Sequence, residues 1–293
     1  MASIAFIGLG VMGGPVAGHL ALAGHQVYVY NRTSQKAADW IHKYPGVLAS
    51  CPADAASDVD LVFTCVGDDD DLREITMGDG GVLSTMRAGS VLVDHTTVSA
   101  TVAREVASRC NELGCGFVDA PLSGGQKGAE EGMLAIMCGG MEDHFNRVEP
   151  VMTVYAKSIV HMGEVGHGQL TKMVNQICIA GLLQGLAEGL AFASNAKLDI
   201  FRVLDAIGDG AAGSWQMRNR GSTMVEDKYD FGFAVNWMRK DLAICLDEAR
   251  LNGSDLEVTA LVDKFYKEIQ GMGGGRWDTS SLLRRLTRYM PPF

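Results

Sequence analysis

The stretch IAFIGLGVMGGPVAGHLALAGHQVYVYNRT, residues 4–33, decides the fold of this chain. It opens with the apolar run 4–7, which ends in glycine and is typical of a parallel strand buried on both faces. The glycine-rich segment GLGVMG at 8–13 follows, and then come an apolar helical pattern and a second apolar strand over Gln26–Tyr30. This order of strand, glycine loop, helix and strand predicts a βαβ unit.

The glycine loop predicts a dinucleotide-binding site of the Rossmann type. Gly8 allows the tight turn, Gly10 allows backbone to approach a pyrophosphate, and Gly13 allows close packing of helix on strand. The start of the helix directs free N–H groups and the positive end of its dipole at the phosphates. We therefore expect the whole of 8–13 to bind the cofactor, including the intervening residues Leu9, Val11 and Met12.

The end of the second strand indicates which dinucleotide is preferred. An Asp or Glu there accepts hydrogen bonds from the ribose 2′-hydroxyl of NAD, but this chain reads Asn31-Arg32-Thr33. Asn31 and Thr33 can donate hydrogen bonds, and the guanidinium of Arg32 offers a fixed fork for a 2′-phosphate. We therefore predict NADP as the preferred cofactor. NAD is the alternative, and Arg32 is then only a solvated surface residue.

Length and composition restrict the class of protein. The 293 residues suffice for two domains, and a hydrophobic content of 47% with mixed charge is typical of a soluble globular protein. The net charge of −10 argues against nucleic-acid binding, which requires a basic surface. The seven cysteines show no metal-binding spacing, and no secretory signal is visible, so we expect reduced thiols, no metal and a cytoplasmic protein. No apolar run reaches the ~18 residues of a membrane span, so no membrane partner is expected.

Alternating β and α patterns predict a doubly wound α/β domain in the first half of the chain. Strand-like runs recur at 61–66, 90–94, 116–119, 133–138 and 158–162; helical patterns cover 101–113 and 142–155, the latter with an expected interruption at Pro150. Beyond Gly163 the alternation stops, a long helix covers 169–195, and no convincing strand occurs over 196–289. We predict an N-terminal Rossmann-like domain over 1–163 and an all-α C-terminal domain over 164–293, joined by the long helix.

Three further segments carry polar residues that suit a catalytic site. The first, DAPLSGG at 119–125, directly follows a strand. Ligands of parallel sheets bind outside the carboxyl ends of the strands, so this loop is well placed. Ser123 and the N–H groups of Gly124 and Gly125 can form a pocket for a substrate carboxylate, although a plain glycine turn explains the same residues.

The second segment, GHGQLTKMVNQ at 166–176, places a lysine on an apolar helix. Lys172 shares a helix face with Asn175 and Gln176, which follow it at spacings of three and four residues. Burial lowers the pKa of a lysine side chain toward the range that is useful for proton transfer. The alternative is a lysine that reaches solvent from an amphipathic helix.

The third segment, FGFAVNWMRKDL at 231–242, ends in Lys240 and Asp241. Lys240 can approach the cofactor or the substrate, and a solvated helix lysine is the alternative. Earlier in the same region, Trp215 can form the wall of an apolar part of the substrate pocket, although a tryptophan is more often a core residue.

Together with the glycine loop, these segments resemble the β-hydroxyacid dehydrogenase family, which includes 3-hydroxyisobutyrate dehydrogenase, tartronate semialdehyde reductase and the glyoxylate/succinic semialdehyde reductases. The resemblance covers essentially the whole chain and rests on GLGVMG at 8–13, DAPLSGG at 119–125, GHGQLTKMVNQ at 166–176 and RKDL at 239–242. It implies an NAD(P)-dependent hydride transfer to or from a small 3-hydroxyacid or semialdehyde that carries a carboxylate. It also implies a homodimer or homotetramer built through the helical domain.

The resemblance further implies roles for individual residues. Lys172 is the general acid/base at the substrate oxygen, and the Ser123 loop holds the substrate carboxylate. Asn175 orients substrate and lysine, but many members carry an asparagine where this chain has Gln176, so the amide that contacts the substrate stays open. The residues implied to line the cofactor are Cys65, Val66, Gly67, Thr97 (or Thr96) and, near the nicotinamide, Lys240.

Other functions remain open beside the dehydrogenase. The predicted NADP preference favours a reductase of glyoxylate, succinic semialdehyde or tartronate semialdehyde over an oxidative enzyme. Imine reductases resemble this family but typically carry Asp or Tyr at the position of Lys172. A non-catalytic binding scaffold of the same fold is the remaining alternative, and such relatives lose the lysine.

Overall fold

The computed structural model describes residues 1–287 of the chain. The chain divides into two compact units, Met1–Lys172 and Met173–Phe293, the second described as far as residue 287. The first unit combines a sheet with helices, and the second is helical. The predicted class, a Rossmann-like α/β unit followed by helices, is confirmed.

The first unit is built on a mostly parallel sheet. Within the described residues its strands are β1 (Ser3–Ile7), β2 (Gln26–Tyr30), β3 (Val47–Leu48), β4 (Leu61–Thr64), β5 (Val91–Asp94), β6 (Gly116–Asp119), β7 (Leu122–Ser123), β8 (Leu134–Gly140) and β9 (Ala156–Gly163). The strand order is β3-β2-β1-β4-β5-β6-β8-β7, with β9 paired to β8. Strands β1 to β6 pair in parallel, whereas β8 lies antiparallel to β6 and β7.

The order of the strands reverses at β1, which creates a crevice at the carboxyl edge of the sheet. β2 lies on one side of β1 and β4 on the other, so the loops that follow β1 and β4 diverge there. The register aligns the last residues of the five central strands in one row: Tyr30, Ile7, Thr64, Asp94 and Asp119. Each loop that the sequence marks as functional in this unit starts from that row.

Helices cover both faces of the sheet. One apolar core contains Ile4 and Phe6 of β1 and is covered by α1 (Gly13–Leu22), α2 (Ser34–Lys43), α6 (Gly125–Glu130) and α7 (Glu142–Met152). The other contains Ala5 and Ile7 and is covered by α3 (Pro52–Ala56), α4 (Asp69–Met77) and α5 (Ala100–Glu112). Residues 4–7 of β1 are all buried, and because strand side chains alternate between the two faces of the sheet, this one strand contributes to both cores. Full burial of each large side chain contributes about 1.5–3 kcal/mol.

Most predicted strands agree with the observed bounds within two residues. The strand expected at 61–66 ends at Thr64 because the chain turns into a loop there, and the two-residue strands β3 and β7 carry no periodic pattern that could reveal them. The expected interruption at Pro150 is wrong, since α7 runs through this residue to Met152. Pro150 lies so near the end of α7 that its missing N–H disturbs only the last turn.

The second unit consists of helices around one apolar core. The long helix α8 (His167–Asn195) begins in the first unit and continues into the second, where α9 (Ile200–Gly208), α10 (Trp215–Val225), α11 (Val235–Asn252), α12 (Glu257–Gly271) and α13 (Leu282–Thr287) follow. The core includes Leu183, Val235, Leu242 and Tyr266. Within the described part of this unit the only β pairing is an isolated bridge between Ala234 and Asp278.

Helix α8 has the length and average composition of a membrane-spanning helix. It is 29 residues long, and an 18-residue window within it has a mean hydropathy of 1.5. Polar residues such as Lys172, Gln176 and Gln184 interrupt α8, so it contains no continuous apolar run of that length. A core helix of a globular domain has the same properties. Leu183, Ala187 and Leu190 of α8 are buried in the core of the second unit.

Candidate active site

The glycine loop after β1 leaves open space at one of its glycines. A Cβ at Gly8 would lie 2.2 Å from the Cys65 carbonyl oxygen, and the φ of Gly8 is +99°, so only glycine fits there. A Cβ at Gly13 would lie 2.0 Å from the Gly8 oxygen. At Gly10 a Cβ would meet no atom within 4 Å. The packing of the protein itself does not require glycine at this position, and the open space suits the pyrophosphate of a dinucleotide.

Asn31 connects the end of β2 to the glycine loop. Its Oδ1 accepts a hydrogen bond from the Leu9 N–H at 2.8 Å, and its Nδ2 donates to the Thr33 carbonyl oxygen at 3.0 Å. The side chain therefore shapes the loop, a role that the sequence did not reveal. Within the loop, Leu9 is buried in the core, Met12 is partly buried, and Val11 is exposed.

Arg32 lies beside this loop and pairs with a carboxylate of α4. Its Nη1 donates to Asp71 Oδ1 at 2.7 Å, and the two side chains are 75% and 23% exposed. Asp71 belongs to the first turn of α4, and its own N–H donates to the Asp68 carboxylate that caps the helix. A 2′-phosphate would have to share Arg32 with Asp71. An exposed ion pair contributes only about 0–1 kcal/mol, so Asp71 weakens such a contact without preventing it.

The loops that follow β4 and β5 are joined through Thr96. The Val66 N–H donates to Thr96 Oγ1 at 3.0 Å, and the Thr96 N–H donates to Asp94 Oδ1 at 3.0 Å. Thr96 is buried, and its hydroxyl holds the Cys65–Gly67 turn in place. Thr97 is partly buried, and the choice of Thr97 over Thr96 as a cofactor-lining residue stays a prediction.

Two buried carboxylates lie side by side at the ends of β5 and β6. Asp94 and Asp119 are paired in register and fully buried. Burial raises the pKa of Asp94 to about 7, although hydrogen bonds from Thr96 and Thr64 oppose the rise. Burial likewise raises the pKa of Asp119 to about 6, against hydrogen bonds from backbone N–H groups at the start of α8.

Replacing Asp94 with asparagine should remove a pH dependence from the stability of the first unit. The folded pKa of Asp94 lies above that of the unfolded chain, so the stability contribution of its protonated form is lost as the pH rises from about 4 to about 7. Asparagine keeps the acceptor for Thr64 and Thr96 without becoming charged. Between about pH 5 and about pH 8, wild type should therefore lose about 2–3 kcal/mol of unfolding free energy that D94N keeps. Urea unfolding of both proteins at the two pH values measures this difference.

The exposed substitution D39N is the control for this experiment, since it removes a carboxylate that lies outside the core. Its urea midpoints should follow those of wild type at both pH values. Parallel pH curves for D94N and wild type would show that Asp94 carries no such linkage.

The loop after β6 presents backbone N–H groups at the same edge of the sheet. Gly124 and Gly125 have φ angles of +132° and +65°, a region that favours glycine. Both glycines are exposed, and a Cβ at Gly125 would meet no atom within 4 Å. Ser123 precedes them and is partly buried at the end of β7. Successive N–H groups in such a turn suit an anion, such as the carboxylate that the sequence predicts.

Lys172 lies against this loop. The residue is 7% exposed, and its Nζ donates to the Leu122 carbonyl oxygen at 2.7 Å, directly before Ser123. The alternative of a lysine that extends into solvent is therefore wrong. The structure brings the two strongest catalytic candidates of the first unit together, as their roles would require.

The first turn of α8 is held by Asp119 and Gln169, two residues that no sequence motif marks for this task. Asp119 accepts hydrogen bonds from the N–H groups of Gly166 at 2.7 Å and Gln169 at 2.9 Å. The buried Gln169 side chain donates to the Thr96 carbonyl oxygen at 2.7 Å. The helix that carries Lys172 is thus fixed to the loops after β5 and β6. Asp119 opens the DAPLSGG motif, but no local pattern indicates its partners 47 and 50 residues away.

In the second unit, four polar side chains form a cluster held by two hydrogen bonds and one ion pair. Gln176 is 2% exposed, and its Nε2 donates to Asp241 Oδ2 at 2.6 Å. Asn175 Nδ2 donates to Gln176 Oε1 at 2.7 Å, and Lys240 Nζ lies 3.2 Å from Asp241 Oδ1. The cluster contains Asn175, Lys240 and the open candidate Gln176, and it adds Asp241, to which the sequence analysis assigned no role.

Trp215 is not a core residue, since it is 47% exposed at the start of α10. The guanidinium carbon of Arg220 lies 5.0 Å from the centre of its ring, a cation–π contact. A role in lining a substrate pocket stays a prediction. Among residues 1–287, no group of three or more His, Cys, Asp or Glu side chains has an arrangement that could hold a metal ion.

Two family models together match nearly the whole chain. The model described as the NAD binding domain of 6-phosphogluconate dehydrogenase matches residues 3–163. The model described as the NAD-binding of NADP-dependent 3-hydroxyisobutyrate dehydrogenase matches residues 166–286. The sheet unit and most of the helical unit are therefore both covered.

Individual proteins match this chain from end to end. An uncharacterized oxidoreductase of Shewanella frigidimarina is 60% identical over 98% of this chain and 99% of its own length. The 2-hydroxy-3-oxopropionate reductase of Escherichia coli is 35% identical over 97% of this chain and 96% of its own. A solved structure of Mycobacterium tuberculosis 3-hydroxyisobutyrate dehydrogenase with L-serine aligns with a TM-score of 0.88 at 28% identity, over 98% of this chain and 99% of that one.

Proposed function

Because this chain belongs to the β-hydroxyacid dehydrogenase family, we propose that it acts on a small 3-hydroxyacid or semialdehyde that carries a carboxylate, in the manner of 3-hydroxyisobutyrate dehydrogenase. Membership of the family makes the protein an NAD(P)-dependent hydroxyacid dehydrogenase or reductase. What we propose here is its class of substrate and the roles of its individual residues. One observation carries it: the buried Lys172 amine bonds to the Leu122 carbonyl oxygen, beside the exposed N–H groups of Gly124 and Gly125.

In the proposed reaction each residue has one task. Ser123 and the N–H groups of Gly124 and Gly125 hold the substrate carboxylate and so fix the reacting carbon. The nicotinamide, when bound, supplies or accepts the hydride. Lys172 takes the hydroxyl proton during oxidation, or gives a proton to the substrate oxygen during reduction. Its bond to Leu122 keeps Nζ in place, so little reorganisation accompanies proton transfer.

The cofactor roles rest on the open space at Gly10. A dinucleotide pyrophosphate at that position meets the start of α1, whose N–H groups and dipole favour an anion. We assign Cys65–Gly67 and Thr97 to the cofactor because they leave from the neighbouring strand ends at the carboxyl edge. Lys240 and Trp215 keep the roles near the nicotinamide and the substrate that the family resemblance and the sequence suggest.

A second candidate is an NADPH-dependent reductase of tartronate semialdehyde or a related semialdehyde. It is favoured by the 35% identity to the 2-hydroxy-3-oxopropionate reductase, since 2-hydroxy-3-oxopropionate is tartronate semialdehyde, and by Arg32 at the end of β2. The two candidates share every residue role and differ in substrate and physiological direction.

A substrate panel separates the two candidates. Purified protein is assayed with 3-hydroxyisobutyrate, L-serine and D-glycerate in the oxidative direction, and with tartronate, succinic and methylmalonate semialdehydes and glyoxylate in the reductive direction. Each compound is run with both NAD(H) and NADP(H), and each active one is compared with its methyl ester. We expect activity on a carboxylate and a loss of about 100-fold in kcat/KM for its ester. Equal rates for acid and ester would contradict a carboxylate pocket.

Cofactor preference should depend on both members of the Arg32–Asp71 pair. If Arg32 binds a 2′-phosphate, R32Q lowers the ratio of kcat/KM for NADPH over NADH by about 10–100-fold, since a charge-assisted hydrogen bond is lost. D71N frees Arg32 from its competitor and raises the same ratio by about 2–5-fold. The control is R109Q, which removes an exposed arginine of α5. An unchanged ratio in both variants would remove the case for NADP.

Self-association through the helical unit and a cytoplasmic location remain part of the proposal. Val174, Leu182 and Phe192 of α8 are 60%, 47% and 73% exposed, and their spacing places them on one face of the helix. An exposed apolar face of this kind is typical of an interface between subunits. Light scattering coupled to gel filtration should give a dimer or a tetramer.

A further inference from the structure

The carbonyl group of Ala120 lies where the chain leaves the parallel part of the sheet. The Ala120 N–H still donates to the Asp94 carbonyl oxygen at 2.7 Å, which continues the pairing of β5 and β6 by one residue. In a regular parallel ladder the Ala120 oxygen would accept a hydrogen bond from the backbone N–H of Thr96. That N–H donates to the Asp94 side chain instead, at 3.0 Å. The ladder therefore ends at a buried carbonyl group that needs another donor.

The side chain of His95 supplies this donor. Its Nδ1 lies 2.6 Å from the Ala120 oxygen, and its Nε2 lies 2.9 Å from the Tyr155 hydroxyl oxygen. His95 is 3% exposed, and Ala120 and Tyr155 are fully buried. The rings of His95 and Tyr155 meet edge to face with their centres 5.7 Å apart, and the ring of Phe63 lies 5.6 Å from that of His95. We call His95 and Tyr155 the histidine–tyrosine pair.

The partners of the pair determine where its protons lie. Burial lowers the pKa of His95 to about 4 and raises the pKa of Tyr155 well above its usual range, so both groups are neutral at pH 7. A carbonyl oxygen only accepts hydrogen bonds, so the single ring proton of His95 lies on Nδ1. Nε2 is then an acceptor, and Tyr155 donates its hydroxyl proton to it. Each ring nitrogen of His95 therefore has one partner and one fixed role.

The carbonyl group that His95 holds lies just before the substrate candidates of the DAPLSGG segment. The chain continues from Ala120 through Pro121 to Leu122, whose oxygen accepts a hydrogen bond from Lys172 at 2.7 Å. Residues 123–125, the carboxylate loop, follow directly. The strand β7 that leads into this loop pairs with β8 at the end of its path in the sheet. Because only a proline separates Ala120 from Leu122, a shift of the Ala120 carbonyl group moves the start of the loop with it.

We propose that the histidine–tyrosine pair positions the carboxylate loop. This proposal rests on the proposed function, in which that loop binds the substrate carboxylate. Tyr155 fixes the tautomer and the orientation of His95, and His95 holds the Ala120 carbonyl group. The N–H groups of the loop are thereby kept at the distance from Lys172 that the substrate requires. His95 and Tyr155 are positioning residues, since they act through the backbone, and a misplacement of about 1 Å at a reaction centre can cost about 100-fold in rate.

Two double variants that differ in one donor test this role. H95M/Y155F replaces both polar side chains with apolar ones of similar size, so the pair leaves no buried hydroxyl unpaired, but Ala120 loses its donor. H95N/Y155F also breaks the pair, but asparagine carries its Nδ2 as many bonds from Cβ as histidine carries Nδ1, and so it can still donate to Ala120. The hydrogen bond to the Ala120 oxygen is therefore the main difference between the two variants.

The measured quantity is the ratio of kcat/KM for the substrate acid over its methyl ester, which we expect to be about 100 in wild type. In H95M/Y155F this ratio should fall by about 10-fold or more, because only the acid uses the carboxylate loop. In H95N/Y155F it should stay within about 3-fold of wild type. A general loss of stability lowers the rates for acid and ester alike and does not change the ratio. An unchanged ratio in H95M/Y155F, or an equal fall in both double variants, would overturn the proposal.

The matched control is H161M, which removes another histidine that bonds to a backbone carbonyl group. His161 Nε2 lies 2.8 Å from the Gly140 oxygen, and its ring stacks on that of Phe145. H161M should lower the melting temperature and keep the ratio of acid over ester within about 2-fold of wild type. A fall of the ratio as large as in H95M/Y155F would make the effect a general one, and the pair would have no specific role.

NMR spectra test the pair without turnover. In wild type at pH 7 the ring nitrogens of His95 should show a proton on Nδ1 and none on Nε2, and the opposite tautomer would contradict the proposal even if neither variant folds. The backbone N–H signals of Gly124 and Gly125 should move in H95M/Y155F and stay near their wild-type positions in H95N/Y155F. If they do so but wild type does not prefer acid over ester, the proposed function fails while the positioning of the loop stands. If wild type prefers the acid but these signals stay in place in H95M/Y155F, the positioning role is wrong.

Discussion

Replacing Lys172 with methionine is expected to lower kcat/KM by about 10³-fold while the protein stays folded. Methionine has a similar length and fills the same space, but it cannot carry a proton. General acid/base groups contribute about 10²–10⁴-fold to rate, and Lys172 is our candidate for this role. The lost hydrogen bond to the buried Leu122 oxygen should also lower stability by about 1–3 kcal/mol.

The experiment needs a lysine control and a binding measurement. K157M removes an exposed lysine of β9 and should leave kcat/KM within about 2-fold of wild type, as surface substitutions do. Titration of the fluorescence of NADPH should give the same dissociation constant for K172M and wild type, which places the defect in the chemical step. Wild-type turnover in K172M would show that the buried lysine is only structural, and the proposed mechanism would be abandoned.

The parts of this site that the sequence predicts are those encoded by local patterns. The glycines at 8, 10 and 13 act through backbone geometry, so their spacing alone indicates the turn, the open space and the close packing seen in the structure. For Lys172 the local pattern is less decisive, because an apolar helix around a lysine fits both a buried lysine and one that reaches solvent, and only the structure shows that the residue is 7% exposed.

The parts that the sequence does not predict depend on contacts between distant residues. The local sequence around Arg32 indicates a phosphate ligand. Its ion pair with Asp71, 39 residues away, forms only because the fold brings the end of β2 close to α4. Asp119 and Gln169 are likewise ordinary residues in their own segments. Only the fold shows that they fix the start of α8 through the hydrogen bonds described above.

The choice between Asn175 and Gln176 shows the same limit in another form. Spacings of three and four residues both return to one helix face, so helical periodicity alone cannot rank the two amides. The structure distinguishes them by their partners: Gln176 donates to Asp241, 65 residues away in sequence, and Asn175 donates to Gln176. A contact with another helix therefore separates two amides that the motif leaves equivalent.

Replacing Gly10 of the glycine loop with alanine should weaken cofactor binding strongly without lowering the stability of the fold. The φ of Gly10 is not positive, and an added Cβ there would meet no protein atom within 4 Å, so the folded protein accepts alanine at this position. A dinucleotide pyrophosphate would occupy that same space, and the added methyl would push it away from the start of α1. We therefore expect G10A to weaken NADPH binding by about 10–100-fold, in line with the cost of overpacking.

The melting temperature distinguishes G10A from its neighbours in the loop. In G10A it should stay at the wild-type value, because no native contact changes. In G8A it should fall, since the φ of +99° and the Cys65 oxygen at 2.2 Å both exclude a Cβ. The exposed G271A, at the end of α12, controls for the substitution itself and should keep both melting temperature and NADPH affinity. If G10A binds NADPH as tightly as wild type does, the pyrophosphate does not lie over Gly10, and the cofactor roles assigned to this loop would have to be moved elsewhere.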